Sequence, residues 1–417
     1  MKIYLETYGC TANKSDTNLM RGLLKKHNFT VVDSPTDADV LILVTCTVIA
    51  ATEQRMLARL KSLKNTHKRI IVAGCMAAVQ PDLIHSIVPD AQLLPPKYIH
   101  HLVDILQGKN TFVFTEKRKT YTPKIFPGCI AQISISEGCN SSCAYCITHH
   151  ARGQLMSYQI DDIVHDVTSA LAQGCKEIQL TAQDTASYGQ DIGTNLAVLL
   201  EKICTIDEPF RIRVGMMNPY TTLSHLDSII QSYKDKKIYK FIHLPVQSGD
   251  DELLQLMGRK YSIKDFYRII TAFQKTFADL LISTDIIVGF PTETDEQFKR
   301  TIDLLKTVQP DIVNITRFSA RPQTPAKKLK GRIPTEIVKQ RSRVLTELFS
   351  QINKQKIKKH IGKRYLVLIT EKGKNDTMMG RAENYKPVIL KEHVQIGEFY
   401  DVEIIDATAV NLVGKLI

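Results

Sequence analysis

The sequence contains no run near the roughly 20 consecutive apolar residues that a helix needs to span a bilayer. Its N-terminus, MKIYLETYGC, lacks the basic start, apolar stretch and cleavage site of a secretory signal peptide. A conventional phosphate-binding loop and a serine-centred catalytic triad are also missing. These absences predict a cytoplasmic protein that does not associate with membranes.

Cysteines are absent from the second half of the chain, where none follows Cys204. For a chain with no secretion signal, the nine that are present argue against a disulfide framework. They are Cys10, Cys46, Cys75, Cys129, Cys139, Cys143, Cys146, Cys175 and Cys204. Any function of the cysteine thiols is therefore expected in the first half of the chain.

The 417 residues are 43% hydrophobic, which is enough for two or three domains with their own cores. The net charge of +12 is concentrated near the end, because residues 321–417 hold 20 lysines and arginines against 10 aspartates and glutamates. Such a basic block indicates a polyanionic partner, although it is equally typical of a solvated surface.

Residues 1–115 are predicted to form one α/β domain. Strands are expected at 2–6, 40–44 and 70–73, and helices at 17–27, at 48–64 and after Pro81. This βαβαβ order predicts an open parallel sheet. Cys10, Cys46 and Cys75 each follow one of the three strands, at the edge where open sheets bind ligands, so they should converge on one site. The alternative is three buried structural cysteines.

A polar, proline-containing linker is expected at 116–130, followed by a central domain at 125–355. Strands are predicted at 131–136, 177–181, 211–214, 241–244, 281–288 and 312–318, with helices between them, including 160–172 and 263–277. Six βα units indicate a partial (β/α)6 barrel, since a full eight-unit barrel typically needs about 250 residues.

The end of the chain changes character. An amphipathic helix is predicted at 335–359, and five short β runs follow it. They indicate a small antiparallel OB-like β-barrel at 357–417, a fold that often binds RNA.

Cys139, Cys143 and Cys146 have the spacing C-x3-C-x2-C and follow the first strand of the central domain. Structural zinc normally takes four protein ligands, which His149 or His150 could complete. Three thiolates at a barrel edge fit a [4Fe–4S] cluster better, because one iron stays free to bind S-adenosylmethionine.

The segment SEGCNSSCAYC…ARG resembles the cluster loop of radical S-adenosylmethionine enzymes. Together with TYGCTANKSDT, VTCTV and VAGCM it is similar to the methylthiotransferase family. Further motifs resemble the archaeal and eukaryotic tRNA branch of that family: LTAQDTASYG at 180–189, RVGMMNP at 213–219, HLPVQSGDDELLQLMGR at 243–259, STDIIVGFPTET at 283–294 and FSARPQTPA at 318–326. The ending resembles the RNA-binding TRAM domain.

The resemblance implies two [4Fe–4S] clusters, one on Cys139, Cys143 and Cys146 and an auxiliary one on Cys10, Cys46 and Cys75. It implies transfer of a methylthio group to C2 of N6-threonylcarbamoyladenosine at position 37 of tRNA. It further implies two roles for S-adenosylmethionine: one molecule would methylate cluster-bound sulfur, and another would yield the radical that attacks C2. A sulfur source and an electron donor such as a ferredoxin or flavodoxin are implied as partners. The cysteine edge of the N-terminal domain should cap the barrel.

The resemblance also implies cofactor contacts from Tyr145, Gln183, Asp184 and Gly289. Each of the last three has a structural alternative: a turn with a helix cap for Gln183 and Asp184, and a simple turn for Gly289. Arg152 could bind a carboxylate or phosphate near the cluster, or form a structural salt bridge.

The remaining cysteines, Cys129, Cys175 and Cys204, are interpreted as packing residues, and His149 and His150 receive no role. A basic cluster is expected to contact tRNA phosphates: Lys354, Lys356, Lys358, Lys359, Lys363 and Arg364. Two other functions stay open. One is methylthiolation of isopentenyl-adenosine in tRNA or of a ribosomal-protein aspartate. The other is a zinc-stabilised RNA-binding protein without catalysis.

Overall fold

A computed structural model of the chain describes residues 1–109 and 122–417. The start of the predicted linker, and the end of the predicted N-terminal domain, lie outside the described residues. The described part of the linker, residues 122–129, forms no helix or strand. The rest of the chain builds an N-terminal sheet, a central partial barrel and a C-terminal barrel.

The N-terminal sheet has five strands in the order β2-β1-β3-β4-β5, and all pairings are parallel. Its strands are β1 (Lys2–Thr7), β2 (Thr30–Val32), β3 (Val40–Thr45), β4 (Arg69–Gly74) and β5 (Gln92–Leu94). Its helices are α1 (Thr11–Lys26), α2 (Ala50–Lys64), α3 (Cys75–Val79), α4 (Pro81–Ile87) and α5 (Leu102–Leu106). The predicted open parallel α/β sheet is confirmed.

Helix α1 begins six residues earlier than the predicted start at residue 17. Its first six residues, TANKSD, have no apolar periodicity, yet Asn13, Ser15 and Asp16 are buried. They pack against polar groups of the central domain, so a long-range contact rather than local hydrophobicity stabilises this turn. The short edge strands β2 and β5 were not predicted, because three residues carry too little pattern.

All six predicted barrel strands are confirmed, and a small two-stranded antiparallel sheet, β7-β8, lies between the first two. The strands are β6 (Ile130–Ser134), β7 (Ser136–Glu137), β8 (Met156–Ser157), β9 (Glu177–Thr181), β10 (Arg211–Val214), β11 (Phe241–His243), β12 (Leu281–Val288) and β13 (Ile312–Arg317). The helices are α6 (Thr148–Arg152), α7 (Ile160–Ala172), α8 (Leu196–Cys204), α9 (Pro219–Leu223), α10 (Leu226–Ser232), α11 (Asp251–Leu256), α12 (Ile263–Thr276) and α13 (Asp295–Val308).

The barrel strands form two parallel sheets, β10-β9-β6 and β11-β12-β13. Isolated bridges between Ile212 and Ile238 and between Met216 and His243 join the two sheets into a partial barrel. Alternate residues along each strand, such as Ile133 and Ile286, enter the main hydrophobic core under the helices. The intervening residues face the interior of the barrel, called the lumen below.

The C-terminal segment forms α14 (Thr335–Ile357), followed by β14 (Arg364–Lys372), β15 (Met378–Arg381), β16 (Pro387–Leu390), β17 (Phe399–Ala407) and β18 (Leu412–Leu416). These five strands close into a barrel in the order β14-β15-β16-β18-β17. The predicted small barrel is confirmed. Its pairings are antiparallel except for β16 with β18, which is parallel.

The turn between β15 and β16 closes the lumen at the N-terminal ends of the central strands. The Tyr385 ring lies 4.9 Å from the rings of both Tyr239 and Phe241, and its hydroxyl accepts a hydrogen bond from Gln179 at 3.2 Å. Beside it, Lys386 forms a buried ion pair with Asp311 at 2.9 Å. The C-terminal barrel is therefore packed against the central domain and forms the floor of its lumen.

Acidification is expected to destabilise this junction. Burial, with the positive charge of Lys386, lowers the pKa of His360 from 6.5 to about 4. The folded state therefore binds fewer protons than the unfolded state between these values. The free energy of unfolding should therefore be unaffected by the protonation of His360 above pH 6.5. It should fall by roughly 2 kcal/mol as the pH decreases from 6.5 towards 4. Urea unfolding from about pH 7 to about pH 4.5 measures this. His360→Gln should flatten the profile, and an unchanged profile contradicts the assignment.

Candidate functional site

Cys10, Cys46 and Cys75 lie on neighbouring loops at the C-terminal edge of the N-terminal sheet. Cys10 precedes α1, Cys46 follows β3, and Cys75 begins α3. A side-chain carbon built on Gly9 would lie only 2.8 Å from Cβ of Cys46, so the first two loops are in contact. The predicted convergence of the three loops agrees with this packing.

Glycine is required beside two of these cysteines. Gly9 and Gly74 have φ values of +102° and +89°, which disfavour residues with a side chain. At Gly74, a Cβ atom would also lie 2.4 Å from the carbonyl oxygen of Thr45, one residue before Cys46. The repeated Gly-Cys pair thus permits the close approach that brings the cysteine loops together.

Burial and a nearby arginine have opposite effects on the pKa of these thiols. Burial raises the pKa of Cys46 and raises that of Cys75 to about 12, while the positive charge of Arg152 acts against the shift at Cys75. Metal ions bind thiolates, so metal binding here would release the protons that burial retains.

The loop with Cys139, Cys143 and Cys146 follows β7 and ends in α6. Hydrogen-bond donors reach its sulfurs. The backbone N–H of Ser141 donates to Sγ of Cys139 at 3.4 Å, and Nη1 of Arg259 donates to Sγ of Cys143 at 3.3 Å. Such donors stabilise the thiolate form that metal coordination needs. Sequence reasoning missed Arg259, which ends the HLPVQSGDDELLQLMGR motif.

A cavity of about 160 Å³ adjoins this loop. Cys139, Cys143, Asp184, Asn218 and Arg259 are among its lining residues. They come from loops that follow β7, β9, β10 and β11, so the cavity spans the C-terminal edge of the barrel. Active sites of barrel enzymes occupy this edge.

Asp184 mainly joins two of these loops. Its carboxylate accepts hydrogen bonds from the N–H groups of Ala186 and Asn218 at 3.1 and 3.0 Å and from the Thr221 hydroxyl at 2.8 Å. Burial raises the pKa of Asp184, although the three hydrogen-bond donors act to lower it. The structural alternative, a cap on the turn Thr185–Ser187, is confirmed. Direct cofactor contact by Asp184 stays a prediction.

The other three predicted cofactor contacts lie around the same edge. Gln183 has a buried Oε1 without a hydrogen-bond partner among the described residues. Tyr145 packs edge-on against Phe290, with ring centroids 6.4 Å apart. At Gly289, a side chain would clash with Val338 of α14 at 2.4 Å, so helix packing already requires this glycine. Close approach of a ligand is not needed to explain it.

Arg152 connects the two sets of cysteines. It lies six residues after Cys146, and its fully buried guanidinium reaches α1 of the N-terminal domain. Nη2 donates to Asp16 at 2.8 Å and to Asn13 at 3.0 Å, and Nη1 donates to Glu137 at 2.7 Å. Burial alone would lower the pKa of Arg152, but Asp16 and Glu137 hold it well above its ordinary value. The salt-bridge alternative is confirmed, as a bridge between domains.

A second buried arginine crosses between domains on the other side. Arg321, in the FSARPQTPA motif after β13, donates to the Thr47 hydroxyl at 3.1 Å and pairs with Glu53. Thr47 directly follows Cys46. The sequence analysis did not identify Arg321. Its position just after the last barrel strand could have indicated a functional role, because functional residues of barrels follow the C-terminal ends of the strands.

Helix α1 packs into the lumen between these arginines. Hydroxyl pairs join Thr11 to Thr181 at 2.7 Å and Ser15 to Ser134 at 3.0 Å. Asn18 donates to Gln132 at 3.3 Å. The N-terminal domain therefore covers the β6–β9 side of the barrel and places its cysteine edge at the barrel mouth, as the sequence predicted.

Each of the three parts of the fold matches a different protein family. Residues 2–94 match uncharacterized protein family UPF0004, residues 133–305 match the Radical SAM superfamily, and residues 358–417 match the TRAM domain.

Proteins similar over the full length decide the family. A probable threonylcarbamoyladenosine tRNA methylthiotransferase of Archaeoglobus fulgidus is 42% identical, covering 100% of this chain and 99% of the relative. One from Pyrococcus horikoshii is 41% identical with 100% of both covered. The human threonylcarbamoyladenosine tRNA methylthiotransferase is 33% identical, covering 97% of this chain and 72% of the relative. The chain belongs to the threonylcarbamoyladenosine tRNA methylthiotransferase family.

Solved structures show the same fold at low identity. The radical S-adenosylmethionine methyltransferase TsrM from Kitasatospora setae has a TM-score of 0.59 at 13% identity, over 78% of this chain and 76% of its own. The cobalamin-dependent radical enzyme OxsB has a TM-score of 0.55 at 11% identity, over 84% of this chain and 56% of its own. Within the described residues, no helix is long and apolar enough to cross a membrane.

The radical SAM superfamily implies a [4Fe–4S] cluster and S-adenosylmethionine, and the residues present fit both. Three unpaired cysteines with sulfur-directed donors suit an iron–sulfur cluster. The adjoining cavity and the unsatisfied amide oxygen of Gln183 suit a polar cofactor beside it.

A single-ion zinc site fits less well. In the described part of the chain, no three His, Cys, Asp or Glu side chains converge closely enough to hold one metal ion. The ring of His149 instead contacts the carbonyl of Cys139 through Nδ1 at 2.9 Å, and His150 is exposed. A four-iron cluster is larger than one ion, so its thiolates need not meet at a single point.

The remaining cysteines lie outside both triplets. The thiol of Cys129 donates to the carbonyl of Ile369 in the C-terminal barrel at 3.7 Å, and that of Cys175 donates to the carbonyl of Gly128 at 3.4 Å. Cys204 ends α8. These contacts agree with packing roles.

Proposed function

We propose that the chain is a tRNA methylthiotransferase that adds a methylthio group at C2 of N6-threonylcarbamoyladenosine at position 37 of tRNA. One observation carries the proposal: two cysteine triplets lie on facing domains joined by Arg152, in a chain that aligns end to end with proteins named for this reaction. The TRAM match supports tRNA as the partner.

We infer two [4Fe–4S] clusters, on Cys139, Cys143 and Cys146 and on Cys10, Cys46 and Cys75. Bound clusters and S-adenosylmethionine would supply the radical chemistry that a weakly acidic adenine C–H bond requires. Arg259 and the Ser141 amide would hold the first set of thiolates, and the cavity beside them would hold S-adenosylmethionine. Asp184 lines that cavity, and Tyr145, Gln183 and Gly289 are proposed as further cofactor contacts from outside its lining.

The proposed division of labour follows the domains at 1–115, 125–355 and 357–417. The first would carry the sulfur to be transferred, the second would generate the radical, and the third would bind tRNA. A sulfur source and a low-potential electron donor, such as a ferredoxin or flavodoxin, are further proposed partners, because the reaction consumes both sulfur and electrons.

Mass spectrometry of tRNA nucleosides from cells with and without the gene tests the function. Loss of 2-methylthio-threonylcarbamoyladenosine with accumulation of its precursor is the expected result. Loss of the methylthio group from isopentenyl-adenosine instead would keep the chemistry and refute the substrate. Unchanged tRNA nucleosides would refute the proposal and favour the ribosomal-protein target, which the same analysis of ribosomal peptides detects.

The basic cluster is expected to contribute salt-dependent tRNA binding. Lys354, Lys358, Lys359 and Arg364 are exposed, but Lys356 is not available, because it is paired with Asp311 at 3.0 Å. Reversing Lys358 and Lys359 to Glu should weaken tRNA binding at least tenfold and reduce the salt slope by about 2. Filter binding over a salt series measures both. Reversal of Lys25 and Lys26, an exposed pair on α1, is the matched control, and equal effects would contradict a role for this cluster.

A further inference from the structure

Three polar side chains on neighbouring strands form a hydrogen-bonded set in the lumen. Nε2 of His243 on β11 lies 2.9 Å from Oδ1 of Asp285 on β12, and Nδ2 of Asn314 on β13 donates to the same oxygen at 2.7 Å. Ile242, Ile286 and Ile315 belong to or pack against the outer core, so the alternating residues His243, Asp285 and Asn314 face inward. Neither cysteine triplet uses this set.

The set lies between the floor and the roof of the lumen. Along β12, Leu281 packs in the floor cluster with Tyr239 and Phe241, which Tyr385 covers. Ile287 packs in the roof cluster that includes Tyr145, the neighbour of Cys146. Asp285 is one pleat below Ile287, roughly 7 Å along the strand. A ligand bound at Asp285 would therefore lie directly beneath the cysteine loop.

The two halves of the lumen differ in accessibility. On the β6–β9 side, α1 buries Gln132, Ser134 and Thr181. On the opposite side, the side chains of His243 and Asp285 remain 15% and 24% exposed, and Asn314 is exposed. This half of the lumen is therefore accessible to solvent at the His243–Asp285–Asn314 set.

Hydrogen bonding within the set leaves acceptors directed at a ligand. Burial would raise the pKa of Asp285, but His243, Asn314 and Arg259 outweigh this effect and lower it, so the carboxylate is ionised. Both hydrogen bonds fall on Oδ1 of Asp285, so its Oδ2 and Oδ1 of Asn314 have no hydrogen-bond partner among the described residues. Two acceptors, one of them anionic, select N–H donors and repel carboxylates and phosphates.

We propose that His243, Asp285 and Asn314 form the subsite that binds the substituted exocyclic nitrogen of the substrate purine through its N–H groups. This assignment rests on the proposed function, in which the substrate adenine carries a carbamoyl group on N6. The urea linkage presents one N–H on N6 and a second on the carbamoyl nitrogen; unmodified adenine, whose two N–H groups are both on N6, lacks the second. Its carboxylate end must point away from Asp285. The set thereby distinguishes the modified tRNA from its unmodified precursor.

Binding of the holoenzyme to two anticodon stem-loop RNAs tests the subsite. One RNA carries threonylcarbamoyladenosine and the other carries adenosine at the same position. The wild-type protein should prefer the modified RNA at least about tenfold, because charge-assisted hydrogen bonds depend on the N–H donors. Asp285→Asn should reduce this preference at least about fivefold. Asp303→Asn, on the exposed face of α13, is the matched control and should retain it.

Asn314→Ala provides a second variant, since its exposed side chain can be removed without unfolding the barrel. It should lower the preference about threefold, with an unchanged melting temperature. A preference that both variants retain overturns the subsite, as does equal weakening of both RNAs or a wild-type protein without preference. If wild type makes no methylthio product yet loses its preference on Asp285→Asn, the proposed function fails and the subsite stands.

Discussion

Replacing Cys143 with alanine is expected to lower methylthio product formation to background, a loss of at least about a thousandfold. Cys143 is the cysteine that accepts a hydrogen bond from Arg259, and it lines the cavity beside the cluster loop. Without it, a three-cysteine set retains two ligands, too few to hold a [4Fe–4S] cluster firmly. Changes to residues merely supporting ligands already cost about 10- to 100-fold, so loss of a ligand should cost more.

Iron analysis separates this effect from general damage. Anaerobically reconstituted wild-type protein should contain about eight irons per chain, and Cys143→Ala about four, because the triplet of Cys10, Cys46 and Cys75 is untouched. Cys204→Ala is the matched control, a half-buried cysteine outside both triplets, and should retain full iron and activity. Wild-type iron and product in Cys143→Ala would refute the cluster assignment, and colourless wild-type protein would refute both clusters.

Replacing Arg152 with methionine is expected to lower the free energy of unfolding by about 3 to 5 kcal/mol. The guanidinium is buried with two carboxylates, Asp16 at 2.8 Å and Glu137 at 2.7 Å. Methionine retains much of the apolar stem but removes the guanidinium that pairs with both buried carboxylates. Removing one member of a buried ion pair costs far more than losing a surface pair, because the remaining charge has no solvent.

Urea unfolding of the metal-free chain measures the loss, and hydrogen exchange locates it. Protection should fall in α1 and β6, since Arg152, the last residue of α6, pairs with Asn13 and Asp16 of α1, and α1 packs on β6. Arg341→Met is the control: this buried arginine also contacts two carboxylates, Glu293 and Asp295, but within the C-terminal half. It should leave exchange in α1 unchanged. A loss below about 1 kcal/mol for Arg152→Met would mean that water replaces the bridge.

Strands were the most predictable part of the fold. Runs such as VLILVT of β3 and LISTDIIV of β12 combine β-branched residues with bounding turns, and they form strands as expected. The chemistry was predictable for a related reason. Cysteine spacing is a local property of the chain, so the C-x3-C-x2-C loop and the three strand-end cysteines could be identified without coordinates.

Features that depend on contacts between domains were not predictable. Helix α1 starts at Thr11 because Thr11, Ser15 and Asn18 pack on strands more than a hundred residues later. Lys356 belonged to the predicted tRNA-binding cluster on charge alone, but folding places it against Asp311. Gly289 suggested ligand approach, but the structure shows Val338 of α14 in that space.

The sequence by itself determined the order of elements, the two cysteine triplets and the family resemblance. Periodicity, spacing and motifs depend only on residues that are close together in the chain. Only the tertiary structure decided how the triplets face each other. Arg152 and Arg321 reach across the domain boundary and pair with two buried carboxylates, Asp16 and Glu53, because a buried charge is stable only when it is paired. Likewise, His243, Asp285 and Asn314 meet only because three neighbouring parallel strands bring them together: Asp285 is opposite Asn314, and His243 is opposite Ser283, one pleat from Asp285. These pairings join residues that are far apart in the chain, so local sequence patterns do not predict them.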